Sequence, residues 1–315
     1  MLTLLKLLKD GRFHSGQALG AQLGISRSAV WKQLQKLQAE LNLPIHKVPG
    51  RGYKLASPVD LLDQEVLSES CYPVHIYEIV DSTNAEAFRQ INKGVSAPFV
   101  ISAEQQSAGR GRRGRHWISP FGQNVYYSLV LRVDGGLRQL EALSLVVGLA
   151  VLNTLKGFGV MTAGLKWPND ILVCDKKIAG ILLELIGDPA DVCHVVVGIG
   201  INVNMTTAAD VGQPWTSMSL ETGKMFARNE VITALSMRLK EYLKSHAITG
   251  FSSFHEEWEK NHVWQGREVS LMAGQHQVNG VVVGVDQQGA LRLSVNDELK
   301  TYSGGELSLR LRHDS

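Results

Sequence analysis

Residues 140–159, LEALSLVVGLAVLNTLKGFG, read as one helix that is apolar on nearly every face. A helix with no polar stripe has no side to offer to water, so it belongs inside a core. No apolar run in the chain is long enough to span a bilayer, which leaves the core of a folded domain as its place. The segments around it supply cover. VHIYEIV, FVISAEQQ, VYYSLVLRV and HVVVGIGINVN are strand-like, and ILVCDKKIAGILLELI reads as a hairpin turning at Asp175-Lys176. STNAEAFRQINKG reads as a helix whose start is capped by Ser82 or Thr83, and helices return near 229–246 and 251–260. Strands joined partly by hairpins predict an α+β fold with a mixed sheet, not a doubly wound parallel one.

The two ends have different textures. LTLLKLLKD predicts an amphipathic helix ending at Gly11. Ser15 caps a short helix carrying Leu19 and Leu23, and Gly24 stops it. Ser26 then caps a helix with Val30, Leu34, Leu37 and Leu41 at helical spacing. Two short helices joined by a tight glycine turn make a helix-turn-helix. Arg27, Ser28, Lys32, Gln35 and Lys36 lie outside the apolar stripe and are donors suited to phosphates and base edges; Trp31 lies on or near the same face. PIHKVPGRGYKLASP follows as a hairpin turning at Pro49-Gly50-Arg51-Gly52, a wing. Ala56-Ser57-Pro58 marks a linker, and PVDLLDQEVLSES a connecting helix. From about residue 266, EVSLMAG, QVNGVVVGVD, ALRLSVND and LKTYSGGELSLRL are short strands between Gly and Asp/Asn turns, the pattern of a small β-barrel. The expected domains are 1–60, 67–265 and 266–315.

The chain has 315 residues, which suits two or three domains, and its formal charge is only +2. DNA binding is therefore local to one part. Cys71, Cys174 and Cys193 form no C-x-x-C, which suits a reduced cytoplasm and argues against a disulfide framework or a zinc site. MLTLLKLLKD does not read as a secretory signal, so a cytoplasmic location is expected.

Residues 109–117, GRGRRGRHW, admit three readings. Gly109, Gly111 and Gly114 fit G-x-G-x-x-G, a dinucleotide fingerprint, but RHWISPFGQN after them will not start the helix that this reading needs. A general nucleic-acid patch is disfavoured by its position between two strands, far from the winged helix. The third reading is a mobile loop, with glycines for flexibility, arginines for a carboxylate or phosphate, and Trp117 to pack on a flat ring.

DSTN at 81–84, GRGRRG at 109–114, KWPND at 166–170, KIAGILLE at 177–184 and GIGINV at 198–203, taken together, resemble the bifunctional biotin–protein ligases that also repress the biotin biosynthetic operon. The resemblance covers essentially the whole chain and implies a winged helix-turn-helix, a mixed-sheet ligase domain and a C-terminal SH3-like barrel. It implies two steps: biotin attacks the α-phosphate of ATP to give biotinyl-5′-AMP, then a lysine of biotin carboxyl carrier protein takes the biotin. It further implies a homodimer, formed with biotinyl-5′-AMP bound, on operator DNA.

Carried over by resemblance, Ser82, Thr83, Asn84, Gln106, Arg110, Gly111, Arg112, Lys177 and Gly180 line the biotin pocket. Lys177, Lys166 and Arg112 are the implied catalytic groups, because joining two anions is electrostatic and positioning work. Arg112, Arg115, Trp117, Lys166, Asp170 and Asn202 serve the adenylate, with Trp117 on the adenine and Asn202 offering it an amide. Asp170 is expected either to hold Mg2+ or to orient Lys166. Two other classes remain: a small-molecule-sensing regulator without ligase activity, and a lipoate-type ligase.

Overall fold

The computed structural model describes residues 2–312 apart from 42, 58, 135–139, 189–191, 209–210, 275 and 304–306. Pro58 of the expected linker and the centre of the last strand-like run, 304–306, lie outside the described residues.

The first domain follows its caps. Helix α1 is Leu2–Leu8, α2 is Gly16–Leu23 and α3 is Arg27–Leu41. Ser15 Oγ accepts from Ala18 N at 3.0 Å and Ser26 Oγ from Ala29 N at 3.2 Å, so both expected caps form. Gly24 adopts a left-handed φ of 66°, which ends α2. Val30, Leu34, Leu37 and Leu41 pack with Leu4, Leu5, Leu8 and Leu19. Strands β1 (Ile45–Val48) and β2 (Gly52–Leu55) form the wing, and a bridge between His14 and Tyr53 fastens it to the helices.

The expected helix at 58–70 shrinks to α4, Gln64–Leu67. Asp60–Leu62 is held instead by side chains from elsewhere. Leu62 N donates to Glu104 Oε1 at 2.7 Å, and the buried Arg228 binds Asp60 through its backbone N at 2.6 Å and its Nε at 3.0 Å. These tertiary bonds take the place of a helical turn.

The central domain is built on β3 (Val74–Val80), α5 (Thr83–Asn92), β4 (Phe99–Gln106), β5 (Val125–Val133), α6 (Leu143–Gly157), β6 (Gly164–Lys166), β7 (Asp170–Val173), β8 (Lys176–Gly187), β9 (Cys193–Ile201), α7 (Met218–Thr222), α8 (Arg228–Thr249) and α9 (His255–Lys260). Among the described residues seven strands make one sheet in the order β3-β4-β5-β9-β8-β7-β6. Only β3 and β4 run parallel, so the sheet is mixed as expected. Helix α6 is buried along nearly its whole length between this sheet and α8. The β7–β8 hairpin turns at Cys174 and Asp175, one residue earlier than read from the sequence, with both residues at positive φ.

The C-terminal strands are β10 (Glu268–Ala273), β11 (His276–Val285), β12 (Leu291–Val295), β13 (Glu298–Tyr302) and β14 (Leu307–Leu311), an antiparallel sheet in the order β13-β12-β11-β10-β14. The run expected as one strand, LKTYSGGELSLRL, contributes two. Trp167 Nε1 donates to Gly289 O at 3.1 Å, joining this domain to the turn before β7.

His262 shows how the seam is sealed. It follows α9, pairs with Leu165 of β6 through the backbone and lies 4.7 Å from the Trp258 ring. Burial pushes its pKa down to about 4, so the folded chain favours the neutral ring. The unfolded chain takes up the proton first. The contribution is therefore complete above the ordinary value of 6.5 and is lost as pH falls toward 4, by on the order of 3 kcal/mol. His262→Leu should flatten the fall of urea-unfolding free energy between pH 6.5 and 4 relative to the parent. An unchanged slope would show that His262 does not titrate with folding.

Candidate active site

Strand parity builds a trough. Gly180, Leu182 and Glu184 share one face of β8, opposite Gly200, Gly198 and Val196 of β9. The glycines leave room that other side chains fill. A Cβ on Gly200 would stand 2.5 Å from the Trp117 indole, and one on Gly198 would run into Asn84. The GIGINV motif thus supplies floor space, and its two glycines hold an indole and an amide.

The 109–117 segment folds on itself. Gly111 N donates to Arg115 O at 2.7 Å and Trp117 N to Gly109 O at 2.9 Å, and Arg110 bridges His116. The motif itself holds only a single 3-10 turn, Arg112–Gly114, and no helix follows Gly114 before β5, so no helix N-terminus is available to a pyrophosphate. Gly109 serves close approach more than flexibility, since a Cβ there would lie 2.5 Å from Trp117 O.

Two cavities meet at this loop. The narrow one is lined by Ser82, Thr83, Asn84, Gln106, Arg110, Gly111, Arg112, Trp117, Asn169, Lys177 and Gly180 among others, which brings together every residue expected around biotin. The open one, of about 620 Å³, has the size of a small-molecule site and is lined by Arg115, Trp117, Lys166, Asp170, Lys177 and Asn202 together with Trp215, Trp264 and Arg310. Trp117 and Lys177 belong to both walls. The Trp117 Nε1 donor is buried and makes no hydrogen bond among the described residues, so a bound acceptor would satisfy it.

Polar contacts encircle the narrow cavity. Ser119 Oγ donates to Trp117 O at 2.9 Å and receives from Gln106 Nε2 at 2.9 Å. Gln106 Oε1 accepts from Thr83 N at 2.9 Å and Thr83 Oγ1 at 3.1 Å. Ser128 Oγ lies 2.8 Å from Thr83 Oγ1 and donates to Asn84 Oδ1 at 2.6 Å. Ser82 begins α5 but makes no capping bond with its side chain. The turn before it is fixed by Asp81, which binds Arg89 at 2.6 Å; that guanidinium holds the Asp81 pKa down to about 2.

The cations cluster where the cavities join. Lys177 Nζ lies 2.7 Å and Lys166 Nζ 3.7 Å from the Asp170 carboxylate. Burial alone would push the Asp170 pKa up, but Lys177 and Lys166 together hold it below its ordinary value. Burial lowers the Lys166 pKa, with Asp170 opposing that shift. Lys166 also stands 4.5 Å over the Trp264 ring, whose Nε1 donates to Asp175. Arg112 Nη1 donates to Asn169 Oδ1 at 3.0 Å and Nη2 to Leu307 O at 3.1 Å, which fastens the loop to β14.

The structure adds detail to three expectations. The Asp170 carboxylate is contacted by Lys177 and Lys166, which fits the lysine-orienting role, and among the described residues no three His, Cys, Asp or Glu side chains stand together, so a magnesium ion here would take most of its ligands from substrate phosphates and water. Asn202 is buried, and its amide donates to Thr216 O at 2.9 Å and Lys177 O at 3.4 Å, so it positions backbone instead of offering its N–H groups to a base. Trp117 lies against Gly180, Gly200 and Lys177 at the junction, where it lines both cavities. Asn169, Ser119, Ser128, Gly198 and Gly200 were missed. For the last two the signal was present: two glycines spaced i, i+2 in a strand mark one face left empty.

On the winged helix, Arg27, Ser28, Lys32, Gln35 and Lys36 are all exposed along α3, and Trp31 is 40% exposed beside them. The wing adds a feature not anticipated: Arg51 packs 4.5 Å over the Phe13 ring.

Residues 76–202 match the biotin/lipoate A/B protein ligase family, residues 1–54 match an HTH domain, and residues 266–310 match the biotin protein ligase C terminal domain. The chain is 38% identical over 313 residues to the bifunctional ligase/repressor BirA of Salmonella typhimurium, covering 98% of this chain and 97% of that one. Identity to the protein of that name from Bacillus subtilis is 30%, covering 94% of each chain. Among solved structures, the biotin protein ligase from Aquifex aeolicus in complex with biotin and ATP superposes with a TM-score of 0.68 at 32% identity, covering 76% of this chain and 99% of that one.

The glycine floor is testable without ligand. Gly200→Ala should lower unfolding free energy by about 1–3 kcal/mol, the usual cost of overpacking, and alter the near-ultraviolet circular dichroism as the Trp117 indole is displaced. Gly157→Ala, where an added Cβ meets nothing within 4 Å, is the control. Equal stability of the two variants would mean that the indole does not rest on Gly200.

Proposed function

The chain belongs to the biotin–protein ligase family, among the bifunctional ligase/repressors, and from that premise we propose how its residues divide the work. It is an ATP-dependent biotin–protein ligase. A biotin carboxylate oxygen bonds to the α-phosphorus of ATP, the α–β phosphoanhydride bond breaks, and pyrophosphate leaves. The amine of an acceptor lysine, on biotin carboxyl carrier protein, then attacks the acyl carbon, loses a proton and expels AMP.

One observation carries this reading: Lys177 and Trp117 line both cavities, so a carboxylate in the narrow one and a phosphate in the open one meet at a single ammonium group. Ser82, Thr83, Gln106, Arg110, Gly111 and Gly180 surround the biotin rings. Arg112 holds the acyl-phosphate end. Lys166 and Arg115 face the phosphates, and Trp117 forms the wall between acyl and adenine sides. Asp170 holds both lysines against one carboxylate, which offsets their mutual repulsion. Magnesium bound with ATP would take its ligands chiefly from the phosphates, with Asp170 the carboxylate at hand, and would supply charge neutralisation there. The reaction needs little proton transfer in its first step, which fits a site of cations instead of acid–base pairs.

The repressor function rests on α3 and the wing. Biotinyl-5′-AMP orders the loop, the liganded chain dimerises, and the dimer places two recognition helices on a two-fold operator. Ordering an interface before association removes part of its entropic cost. No helix among the described residues is long and apolar enough to cross a membrane, and the reading places the chain in the cytoplasm with its acceptor and operator.

Lys177→Ala should fold and lose about two to three orders of magnitude in biotin-dependent ATP–pyrophosphate exchange, the usual loss when one transition-state charge donor is removed. Activity within a few-fold of the parent would remove Lys177 from the mechanism. The same assay with lipoate in place of biotin separates the two ligase classes, and no exchange with either would leave only a sensor.

Arg27→Ala and Lys32→Ala, each removing one phosphate or base contact, should weaken operator binding by about tenfold in a gel shift while leaving pyrophosphate exchange unchanged. Parent-like operator affinity in both would move the DNA contact off α3.

A further inference from the structure

The hydrogen bonds around the narrow cavity start on the 109–117 loop, at the Trp117 carbonyl, and pass through the floor to Asn84. They return to the loop through one residue with no role so far. Glu184 Oε2 accepts from Asn84 Nδ2 at 2.7 Å, and Glu184 Oε1 lies 3.4 Å from Arg110 Nη1. Its side chain is only 27% exposed and lies on the trough face of β8, in phase with Gly180 and Leu182.

We propose that Glu184 is a positioning residue for the biotin site: its carboxylate closes the ring of hydrogen bonds round the ligand and fixes which groups on the floor donate and which accept. The proposal rests on the biotin reading of the cavity.

The physical reason lies in what a carboxylate can do. An ionised carboxylate only accepts, so the Asn84 amide must turn its NH2 toward Glu184 and its oxygen toward Ser128. Ser128 has one hydroxyl proton, and Asn84 Oδ1 at 2.6 Å takes it in preference to Thr83 Oγ1 at 2.8 Å. Thr83 donates its own proton to Gln106 Oε1. Thr83 Oγ1 is then left with acceptor capacity, which suits a ureido N–H. The shorter of the two bonds that set this direction is the one to Glu184, the other running from Asn84 Nδ2 to Leu182 O at 3.4 Å, and the ordering would relax if Asn84 were freer to flip.

Charge adds a direction. Lys177 Nζ rests against Gly180, and Glu184 stands four residues along the strand, roughly 13 Å away at the usual rise. With an ammonium group at one end of the trough and the Glu184–Arg110 pair at the other, a ligand with a neutral polar head and an acidic tail fits with its carboxylate toward Lys177 and its head toward the ring. The ion pair to Arg110 also holds the first limb of the loop over the trough.

The test measures the parent, Glu184→Gln and Glu184→Ala. Biotin affinity is read by calorimetry without ATP, and turnover by pyrophosphate exchange at saturating biotin. Glu184→Gln keeps the shape and an acceptor for Asn84 but loses the charge and the enforced amide direction. It should weaken biotin binding by about tenfold, with turnover at saturation within about twofold of the parent, because the reacting atoms are at the Lys177 end. Glu184→Ala should weaken binding further; if it fails to fold, Glu184→Gln decides. A merely structural residue would lower the active fraction, and so turnover, without shifting affinity, and that outcome overturns the proposal. So does parent-like affinity in folded Glu184→Gln. A parent that binds no biotin overturns the biotin reading itself.

Discussion

Arg228 is fully buried, and a buried guanidinium is tolerated only when its donors are met. Its Nη2 donates to Glu104 Oε2 at 2.6 Å and also to Asp60 O, Nε donates to Asp60 O at 3.0 Å, and Nη1 to Asn124 O at 3.2 Å. Those partners come from the sheet, from the chain leaving the winged helix, and from the approach to β5. Glu104 in turn receives Leu62 N, and Asn124 Oδ1 receives Val203 N just past β9. One desolvated charge therefore fixes how the DNA-reading domain joins the ligase domain. Stripping such a pair of one partner costs about 3–5 kcal/mol, enough to keep the linker from wandering.

The site uses the same device with opposite sign. Asp170 is the anion enclosed there and Lys177 and Lys166 the cations, all three exposing less than a fifth of their side chains. Without the aspartate, two ammonium groups would repel each other, and burial would favour deprotonating Lys166. With it, both charges stand together at the junction of the cavities. Such a cluster is preorganised: its reorganisation cost was met when the chain folded, not when the substrates arrive.

What the sequence made legible was local or periodic. Ser15, Ser26 and Gly24 mark helix ends by chemistry that acts within four residues, so the helix-turn-helix could be read directly. The apolar run at 140–159 could only be core. The motif residues from Ser82 to Lys177 converge on two adjoining cavities. What was not legible depends on pairs far apart in the chain. Asp60–Leu62 forgoes a helix because Glu104 and Arg228 bind it. Asn202 spends its amide on Lys177 and Thr216. Glu184 sits in the KIAGILLE motif, yet its meaning appears only when Asn84, 100 residues away, is found beside it. Strand parity said which face Glu184 would take, but no local rule says which helix start that face meets.

The segment after GRGRRG ties these two systems together. Trp117 lies in the wall between the cavities, and Phe121, four residues on, is buried among Leu4, Leu5, Leu8 and Leu61 in the core of the winged helix. Gly122 then donates to Glu104 O and packs so closely on Val59 that a Cβ would clash. A stretch this short has little slack, since its full extension is roughly 14 Å. With Phe121 anchored and Trp117 N bonded to Gly109 O, the 109–117 segment ends only four residues before its anchor in the winged-helix core. Packed cores resist strain and transmit it. The 109–117 segment and the winged helix are thus joined through packing and charge, by a phenylalanine on one side and by the Arg228 ion pair on the other.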